Sequence, residues 1–313
     1  MKWLTLLALL SGSAMADTTP VTVVLDWTIN TNHTGLYVAQ QQGYYQDAGL
    51  DVEIVPPPEN GADALLLADQ AQFGVSYQEG LAYARAAGQP LTAIAAIIQH
   101  NTSGLAVRAD SGIERPADLA GKTYGGWGMP VEEAMVRQLV SQDGGDGDAV
   151  NIVPIGAVNF FAATDSGIDA IWVFEGWDGI AAKQQGVDIH YFPLAQSPEL
   201  DYYTPILVAK QDTLDQDPAL AKAFLAATAK GYQFAIEQPE AAAEILLEVA
   251  PELDVELVKA SQAYLAKQYQ ADAARWGEFD EARFAAFNQW LRDNALLEGD
   301  FADSDAMTNA FLP

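Results

Sequence analysis

The 313-residue chain contains no cysteine and only three histidines, and its 15 lysine and arginine residues are outnumbered by 43 aspartate and glutamate residues. Without cysteine the chain can form no disulfide, and it offers no cysteine for a lipid anchor. The formal net charge of −28 predicts a surface that repels nucleic acid and anionic lipid. We therefore expect no nucleic-acid partner.

The patterns that mark common catalytic and metal sites are also missing. The sequence contains neither a G-x-S-x-G motif nor a P-loop. The acidic segment 143–148 lacks the spacing of a calcium loop and is expected to be a solvated turn. Metal-ligand spacing is equally absent among the histidines, which are His33, His100 and His190. We accordingly predict that the protein is not an enzyme and binds no metal or cofactor.

The amino terminus has the three parts of a secretory signal peptide. Lys2 supplies the positive charge, residues 3–10 form an apolar run, and residues 14–16 are a small-residue cleavage site. The apolar run is shorter than the roughly 20 residues that cross a bilayer. We expect cleavage after Ala16 to remove residues 1–16, which leaves a periplasmic protein.

Apolar runs and helical spacing alternate along the chain, and this alternation predicts an α/β fold. Strands are expected at residues 21–25, 51–55, 73–76 and 91–98, with helices between them. A second unit begins near residue 105, with predicted strands at 151–155, 170–173 and 189–192 and a helix at Pro130–Gln142. Residues 205–209 predict a return strand, and the chain beyond residue 216 is expected to be almost wholly helical.

A chain that builds one α/β unit, then another, and then returns predicts two lobes joined by two crossings. We assign residues 17–104 and 205–313 to lobe 1 and residues 105–204 to lobe 2. Each lobe is expected to be a mostly parallel sheet flanked by helices. Ligands bind at the carboxyl ends of strands in such sheets, so the predicted site is a cleft that closes by hinge motion.

Polar and aromatic residues follow the predicted strands of lobe 1. The loop after the first strand holds Trp27, Asn30, Asn32 and His33. Residues of these types at a strand–helix junction also serve as helix caps and structural hydrogen-bonding groups, which is the alternative to ligand contact. Tyr77 follows the third strand, and its flat ring with a polar tip suits stacking. Packing against a neighbour is the alternative for Tyr77.

Lobe 2 contributes a Gly-rich loop and a Trp-rich segment. Residues 125–130 resemble a loop that cradles an anion, but they contain no Lys or Arg, so Trp127 is interpreted as an aromatic wall or as simple packing. Residues 172–179 place Glu175 between Trp172 and Trp177. Burying an unpaired carboxylate is costly. We therefore predict that this segment binds a planar, amino-bearing heterocycle, the alternative being a core Trp172 beside a solvated Glu175.

The sequence LDWTINTNHTGLYVA at 25–39, with GYY at 43–45 and GLDV at 49–52, resembles solute-binding proteins that deliver thiamine pyrimidine precursors to ABC importers, the NMT1/THI5-like family. The resemblance extends through residues 172–179 and 203–210. It implies an α/β, two-lobed periplasmic binding protein of type II with a helical carboxyl-terminal region. Glu175 and Trp172 or Trp177 match by position the acidic and aromatic residues that serve the ligand in this family.

The same resemblance implies the ligand and the partners. The ligand would be N-formyl-4-amino-5-aminomethyl-2-methylpyrimidine or a close relative, and the partner an ABC permease in the inner membrane with its ATPase. We expect a monomer. Riboflavin or another planar heterocycle is the alternative ligand, and a ligand-sensing subunit that docks to a membrane receptor is the alternative role.

Two other kinds of relative fit the sequence less well. Pyrimidine synthases similar to this family rely on a cofactor-bearing Lys with a nearby His and on a cysteine-rich segment. Residues 73–78 contain neither Lys nor His, and residues 202–206 contain no cysteine, so synthase activity is not expected. Binding proteins for sulfonate or nitrate normally place a cation at the anion, and the predicted cleft segments contain almost no Lys or Arg.

Overall fold

The structure is a computed structural model that describes residues 18–156 and 158–313 of the chain. The predicted signal peptide, residues 1–16, lies outside these ranges. The described strands are β1 (Thr19–Val24), β2 (Leu50–Val55), β3 (Phe73–Ser76), β4 (Leu91–Ala96), β5 (Ser103–Arg108), β6 (Thr123–Gly126), β7 (Asn151–Pro154), β8 (Ala170–Phe174), β9 (Ile189–Pro193) and β10 (Ile206–Lys210). The described α-helices are α1 (Thr34–Gln41), α2 (Tyr44–Asp47), α3 (Ala62–Leu67), α4 (Gln78–Ala86), α5 (Pro130–Gln142), α6 (Phe160–Asp165), α7 (Ile180–Gln184), α8 (Gln211–Gln216), α9 (Pro218–Glu237), α10 (Pro239–Val249), α11 (Val255–Leu265), α12 (Glu281–Asp293) and α13 (Asp303–Ala306).

The first sheet has the strand order β2-β1-β3-β10-β4. β1 pairs in parallel with β2 and β3, whereas the return strand β10 is antiparallel to both β3 and β4. Along β1, Val21 and Val23 point into one core cluster and Val24 into a second cluster on the opposite face, because successive side chains of a strand alternate. Both faces of the sheet are therefore covered, which is typical of parallel sheets.

The second sheet repeats this arrangement with the order β7-β6-β8-β5-β9. Here β5 is the antiparallel strand, paired with β8 and β9, while β6 runs parallel to β7 and β8. Leu105 and Tyr124 face a cluster shared with α5, and Val173 faces the opposite cluster with Phe160 of α6. The prediction of two α/β units, each with a mostly parallel sheet, is confirmed.

Two predicted helices show how local chemistry sets the bounds. α5 spans Pro130–Gln142, as predicted. It begins at Pro130 because the N–H of the first helical residue has no partner within the helix, so proline loses no hydrogen bond there. The helical spacing over residues 61–71 gives a shorter helix than predicted, since α3 ends at Leu67. Asp69 then adopts a φ of +57°, a left-handed conformation that stops the helix.

The carboxyl-terminal region is helical, as predicted, and it contacts both sheets. α9 spans 20 residues and packs along α1, within the core cluster on one face of the first sheet. α12 buries Phe287, Trp290 and Leu291 in a core cluster of the second sheet, although residues 205–313 are assigned to lobe 1. The lobe boundaries at 104/105 and 204/205 therefore stay a prediction. Within the described ranges, no helix has both the length and the apolar character that a bilayer crossing needs.

Candidate functional site

The loop after β1 is ordered by its own hydrogen bonds. Asn30 caps the 3-10 turn Thr31–His33, since its side-chain oxygen accepts from Asn32 N at 2.8 Å. His33 Nδ1 accepts from Asn30 N at 3.3 Å, so the ring proton lies on Nε2, 2.7 Å from Asp26 Oδ1. The His33 ring is fully buried. In this conformation His33 positions the loop, and ligand contact by Asn30, Asn32 and His33 stays a prediction.

Trp27 is the part of this loop that faces solvent. Its side chain is 56% exposed at the carboxyl end of β1. The backbone behind it is fixed by two tyrosines of the carboxyl-terminal region, because Tyr232 donates to Asn32 O at 2.7 Å and Tyr269 donates to Thr31 O at 2.6 Å. A large aromatic ring on a hydrogen-bonded loop is therefore accessible from solvent.

Tyr77 occupies the corresponding place at the carboxyl end of β3. It is 44% exposed and immediately precedes α4. Burial of its hydroxyl, followed by the nearby carboxylates of Glu79, Asp63 and Asp26, raises the pKa of Tyr77. Because β1 and β3 pair in parallel, Tyr77 lies at the same sheet edge as the first loop. The phenol therefore stays protonated and can donate a hydrogen bond.

Trp127 and Trp172 form an aromatic pair in the second sheet. Trp127 follows β6 and is 47% exposed, and its ring centroid lies 6.0 Å from that of Trp172, with the ring planes 59° apart. Trp172 is half-buried within β8. Both indoles line a small pocket at the carboxyl end of β6, together with Gly126 and Val158. The role of Trp127 as an aromatic wall for a ligand stays a prediction.

Glu132 shapes the loop that carries Trp127. Its side chain is 3% exposed, and one carboxylate oxygen accepts from the backbone N–H groups of Trp127 and Gly128 at 2.9 and 3.2 Å. The other oxygen accepts from the Tyr124 hydroxyl at 2.5 Å. Sequence reasoning missed these contacts of Glu132. A Glu in the first helical turn after a Gly-rich loop was the available signal, because such a residue often reaches back to N–H groups before the helix.

Glu175 lies directly after β8, where the chain enters a π-helical turn, Glu175–Gly179. It is exposed, and its Oε2 accepts a hydrogen bond of 2.7 Å from the Tyr264 hydroxyl on α11. Burial and the neighbouring Glu175 carboxylate raise the pKa of Tyr264, so this phenol is the donor. The approach needs a glycine at 176, because a Cβ there would lie 2.9 Å from Tyr264 Cδ1. Sequence reasoning missed Tyr264, which sits in an ordinary helical pattern.

Trp177 packs against other partners than the Trp127–Trp172 pair does. It is half-buried and packs against the core cluster of the first sheet, alongside Tyr264. The predicted site residues thus fall into three groups: the loop and strand end of the first sheet with Trp27 and Tyr77, the Trp127–Trp172 pair, and the Glu175–Trp177 turn that contacts α11. The last group joins the second sheet to helices that pack on the first.

The two chain crossings between the sheets are tied together by a charged network. His100 lies after β4 on the first crossing, and its Nδ1 is 2.6 Å from Asp201 Oδ2 on the second. Asp201 Oδ1 also accepts from Asn101 N at 2.8 Å, and Arg283 of α12 lies 3.3 Å from Asp201 Oδ2. The hydrogen bond to Asp201 raises the pKa of His100. These contacts tie the two crossings to each other and to α12.

Two mixed five-stranded sheets with equivalent strand orders, joined by two crossings, define the fold class of two-lobed periplasmic binding proteins. The alkanesulfonate-binding protein SsuA from Xanthomonas axonopodis pv. citri, solved with bound MOPS, has the same fold, with a TM-score of 0.72. The match covers 94% of this chain and 99% of that chain at 13% sequence identity. At this identity the likeness concerns the fold alone.

Within that class, the chain belongs to the NMT1/THI5-like family, whose family model matches residues 30–242. It is 31% identical over 229 residues to the formylaminopyrimidine-binding protein of Halalkalibacterium halodurans, covering 72% of this chain and 69% of that protein. It is also 28% identical over 235 residues to the 4-amino-5-hydroxymethyl-2-methylpyrimidine phosphate synthase of Legionella pneumophila, covering 74% of each. The family predicted from the sequence is confirmed.

Proposed function

We propose that this protein captures N-formyl-4-amino-5-aminomethyl-2-methylpyrimidine, or a close relative, between its two lobes. It then delivers the ligand to an ABC permease and its ATPase in the inner membrane. Export to the periplasm by the signal peptide and action as a monomer are parts of the same proposal. Similarity to a formylaminopyrimidine-binding protein supports this ligand, and the two-lobed fold supports capture by closure.

The observation that carries the proposal is the set of exposed aromatic rings at the carboxyl ends of the strands. Trp27, Tyr77 and Trp127 are all more than two-fifths exposed, and each follows a strand of one of the two sheets. Ligands bind at the carboxyl ends of strands in such sheets, and this is where the three rings are exposed. Flat faces at the predicted cleft suit a planar ring, which stacks between them and offers its edge to polar groups.

Glu175 is the proposed polar anchor for that edge. A carboxylate has two oxygens with about four acceptor positions, so the hydrogen bond from Tyr264 leaves room for a ligand. The exocyclic amine of a 4-aminopyrimidine donates to one oxygen, and a protonated ring nitrogen donates to the other. Trp127 then stacks on the ring and the tilted Trp172 contacts its edge, with Trp177 as the alternative indole. Tyr77 and the loop of Asn32 and His33 complete the site from lobe 1.

The charge of the site supports a neutral or weakly cationic ligand. The segments 26–34, 76–80, 125–130 and 172–179, which hold the proposed contacts, contain no Lys or Arg. An anionic ligand such as a sulfonate normally needs a cation or a strongly donating loop. The alkanesulfonate binder shares the fold, so a different set of contacts on the same scaffold must account for a different ligand.

Synthase activity is the competing function, because a relative with 28% identity carries that name. The residues of this chain argue against synthase activity. Residues 73–78 read FGVSYQ and residues 202–206 read YYTPI, so the Lys, His and Cys that the synthases are expected to need are missing from those segments. The protein therefore binds the pyrimidine without converting it.

Isothermal titration calorimetry with five compounds tests the proposal: formylaminopyrimidine, hydroxymethylpyrimidine, riboflavin, thiamine and taurine. We expect the tightest binding for formylaminopyrimidine. Tight binding of taurine alone would reject the proposed site chemistry, and tight binding of riboflavin alone would keep the planar-ring site but replace the ligand. Chromatography of the same mixtures after incubation should recover each pyrimidine unchanged, and formation of a product would overturn the non-enzymatic role.

A further inference from the structure

We propose that Glu132 is a positioning residue for the ligand site, because its buried carboxylate replaces an external anion in the Gly-rich loop and thereby fixes the Trp127 indole. The predicted effect of Glu132 on ligand affinity rests on the function proposed above. Its effect on the position of Trp127 rests only on the contacts described below. Nothing in the family resemblance assigns a role to Glu132.

The geometry of the loop is that of an anion cradle already filled by the chain itself. Trp127 N–H and Gly128 N–H both point at one Glu132 oxygen, at 2.9 and 3.2 Å, and the Tyr124 hydroxyl donates to the other at 2.5 Å. Glu132 lies in the first turn of α5, where the helix dipole also favours negative charge. A carboxylate that is 3% exposed is thus held by three donors and a helix terminus.

A glycine at position 126 leaves room for the Glu132 carboxylate. A Cβ at position 126 would lie 2.3 Å from Glu132 Oε1, so the side chain occupies space that only a glycine at 126 leaves open. The backbone N–H groups that a Gly-rich loop would otherwise offer to a phosphate or sulfonate are therefore satisfied from within. This explains how a loop of this type can serve a site that has no cation.

The same bonds determine where the Trp127 ring stands. The indole is 47% exposed, and its ring centroid lies 6.0 Å from that of Trp172 with the ring planes tilted, so packing covers only part of the ring. The hydrogen bond from Trp127 N to Glu132 is the polar contact that fixes the backbone beneath the ring. Losing the carboxylate frees two backbone donors, and the loop then shifts to satisfy them with water.

Fluorine NMR of the full protein labelled with 5-fluorotryptophan tests the positioning directly, because Trp127→Phe assigns one resonance to position 127. We expect Glu132→Ala to shift or broaden that resonance while the resonance of Trp276, in the core of the first sheet, stays in place. Glu132→Gln should restore it toward the wild-type position, since an amide oxygen accepts from the loop N–H groups. Glu133→Ala, which removes the neighbouring exposed carboxylate, should leave it unchanged.

If Glu132→Ala does not fold, Gly126→Ala is the second variant. Its added methyl group would displace the Glu132 carboxylate from the loop N–H groups. A Trp127 resonance that is unmoved by the foldable variant, or moved equally by Glu133→Ala, would overturn the proposal. In calorimetric titrations, affinity for formylaminopyrimidine should fall about tenfold in Glu132→Ala and recover in Glu132→Gln. Failure of the wild-type protein to bind this compound would reject the proposed function, whereas the NMR result would still decide the role of Glu132.

Discussion

Tyr264 donates a hydrogen bond to Glu175 over 2.7 Å, and this contact joins helix α11, which packs on the first sheet, to the turn that follows β8 of the second. A phenol donating to a carboxylate makes a charge-assisted hydrogen bond, which is stronger than a neutral one. The contact therefore does two things at once. It favours the conformation in which α11 contacts the turn after β8, and it orients the Glu175 carboxylate that we propose as the ligand anchor.

Tyr264→Phe should weaken ligand binding without unfolding the protein. The variant removes one partly exposed hydrogen bond, so we expect the affinity for formylaminopyrimidine to fall about three- to tenfold. Calorimetry measures this change, with Tyr44→Phe in α2 as the control for removing a tyrosine hydroxyl elsewhere. Equal affinities in wild type and Tyr264→Phe would show that the contact has no part in binding.

Trp127 and Trp177 should differ in whether they contribute to ligand binding or to stability. Trp127 is largely exposed, so Trp127→Ala should lower affinity about tenfold or more and change the free energy of unfolding by less than about 1 kcal/mol. Trp177 packs against the core of the first sheet, so Trp177→Ala should cost about 2 kcal/mol of stability. Urea unfolding and calorimetry on both variants separate the two effects, and the reverse pattern would refute this assignment.

His33 should be important for folding of the first loop. Its buried ring accepts from Asn30 N and donates to Asp26, so His33→Ala leaves buried polar partners unsatisfied. We expect the free energy of unfolding to fall by about 2–3 kcal/mol. His190→Ala is the control, because His190 is half-buried and its Nδ1 makes a single bond to Ile113 O. If urea denaturation gave equal losses for the two variants, the structural role of His33 would be rejected.

Glu79 should make stability fall as the pH rises. Burial raises the pKa of its carboxyl from 4.5 to about 7, and its Oε2 is buried without a hydrogen-bond partner among the described residues. Because the folded protein holds the proton more tightly than the unfolded chain does, the protonated Glu79 carboxyl contributes to the free energy of unfolding. This contribution is complete below pH 4.5 and is lost as the pH rises through about 7. The full shift corresponds to roughly 3 kcal/mol.

Glu79→Gln removes this titration, so the variant should gain stability relative to wild type as the pH is raised from about 5 to about 8. The measurement is the free energy of unfolding in urea across that range. Glu53→Gln, on an exposed face of β2, controls for the loss of a carboxylate. A difference between Glu79→Gln and wild type that stays constant with pH would contradict the buried, neutral state of Glu79.

Local signals in the sequence were enough to predict most elements, but not their partners. The helix at Pro130–Gln142 and the alternation of strands and helices follow from residue spacing and from proline at a helix start. The packing of Trp290 and Leu291 against the second sheet does not, because periodicity shows that a helix face is apolar without showing what covers it. The lobe boundaries drawn from strand order alone therefore stay a prediction.

The candidate site shows the same limit at the level of single residues. The clustering of Glu175 with tryptophans suggested a binding segment, but only the structure separates Trp172, which pairs with Trp127, from Trp177, which packs on the first sheet. Tyr264 and Glu132 act across long or backbone-mediated contacts that no sequence spacing encodes. Residues that meet through tertiary structure are predictable only once the fold is known.

The most direct test of the account is calorimetric titration of wild type and Glu175→Gln with formylaminopyrimidine. Glutamine keeps the size of the side chain and one acceptor oxygen, but it removes the negative charge that should pair with the amine and the protonated ring nitrogen. We predict tight binding by wild type and a loss of at least about thirtyfold in Glu175→Gln, as expected for a charge-assisted pair. Unchanged affinity in Glu175→Gln would contradict the proposal that a carboxylate anchors the ligand.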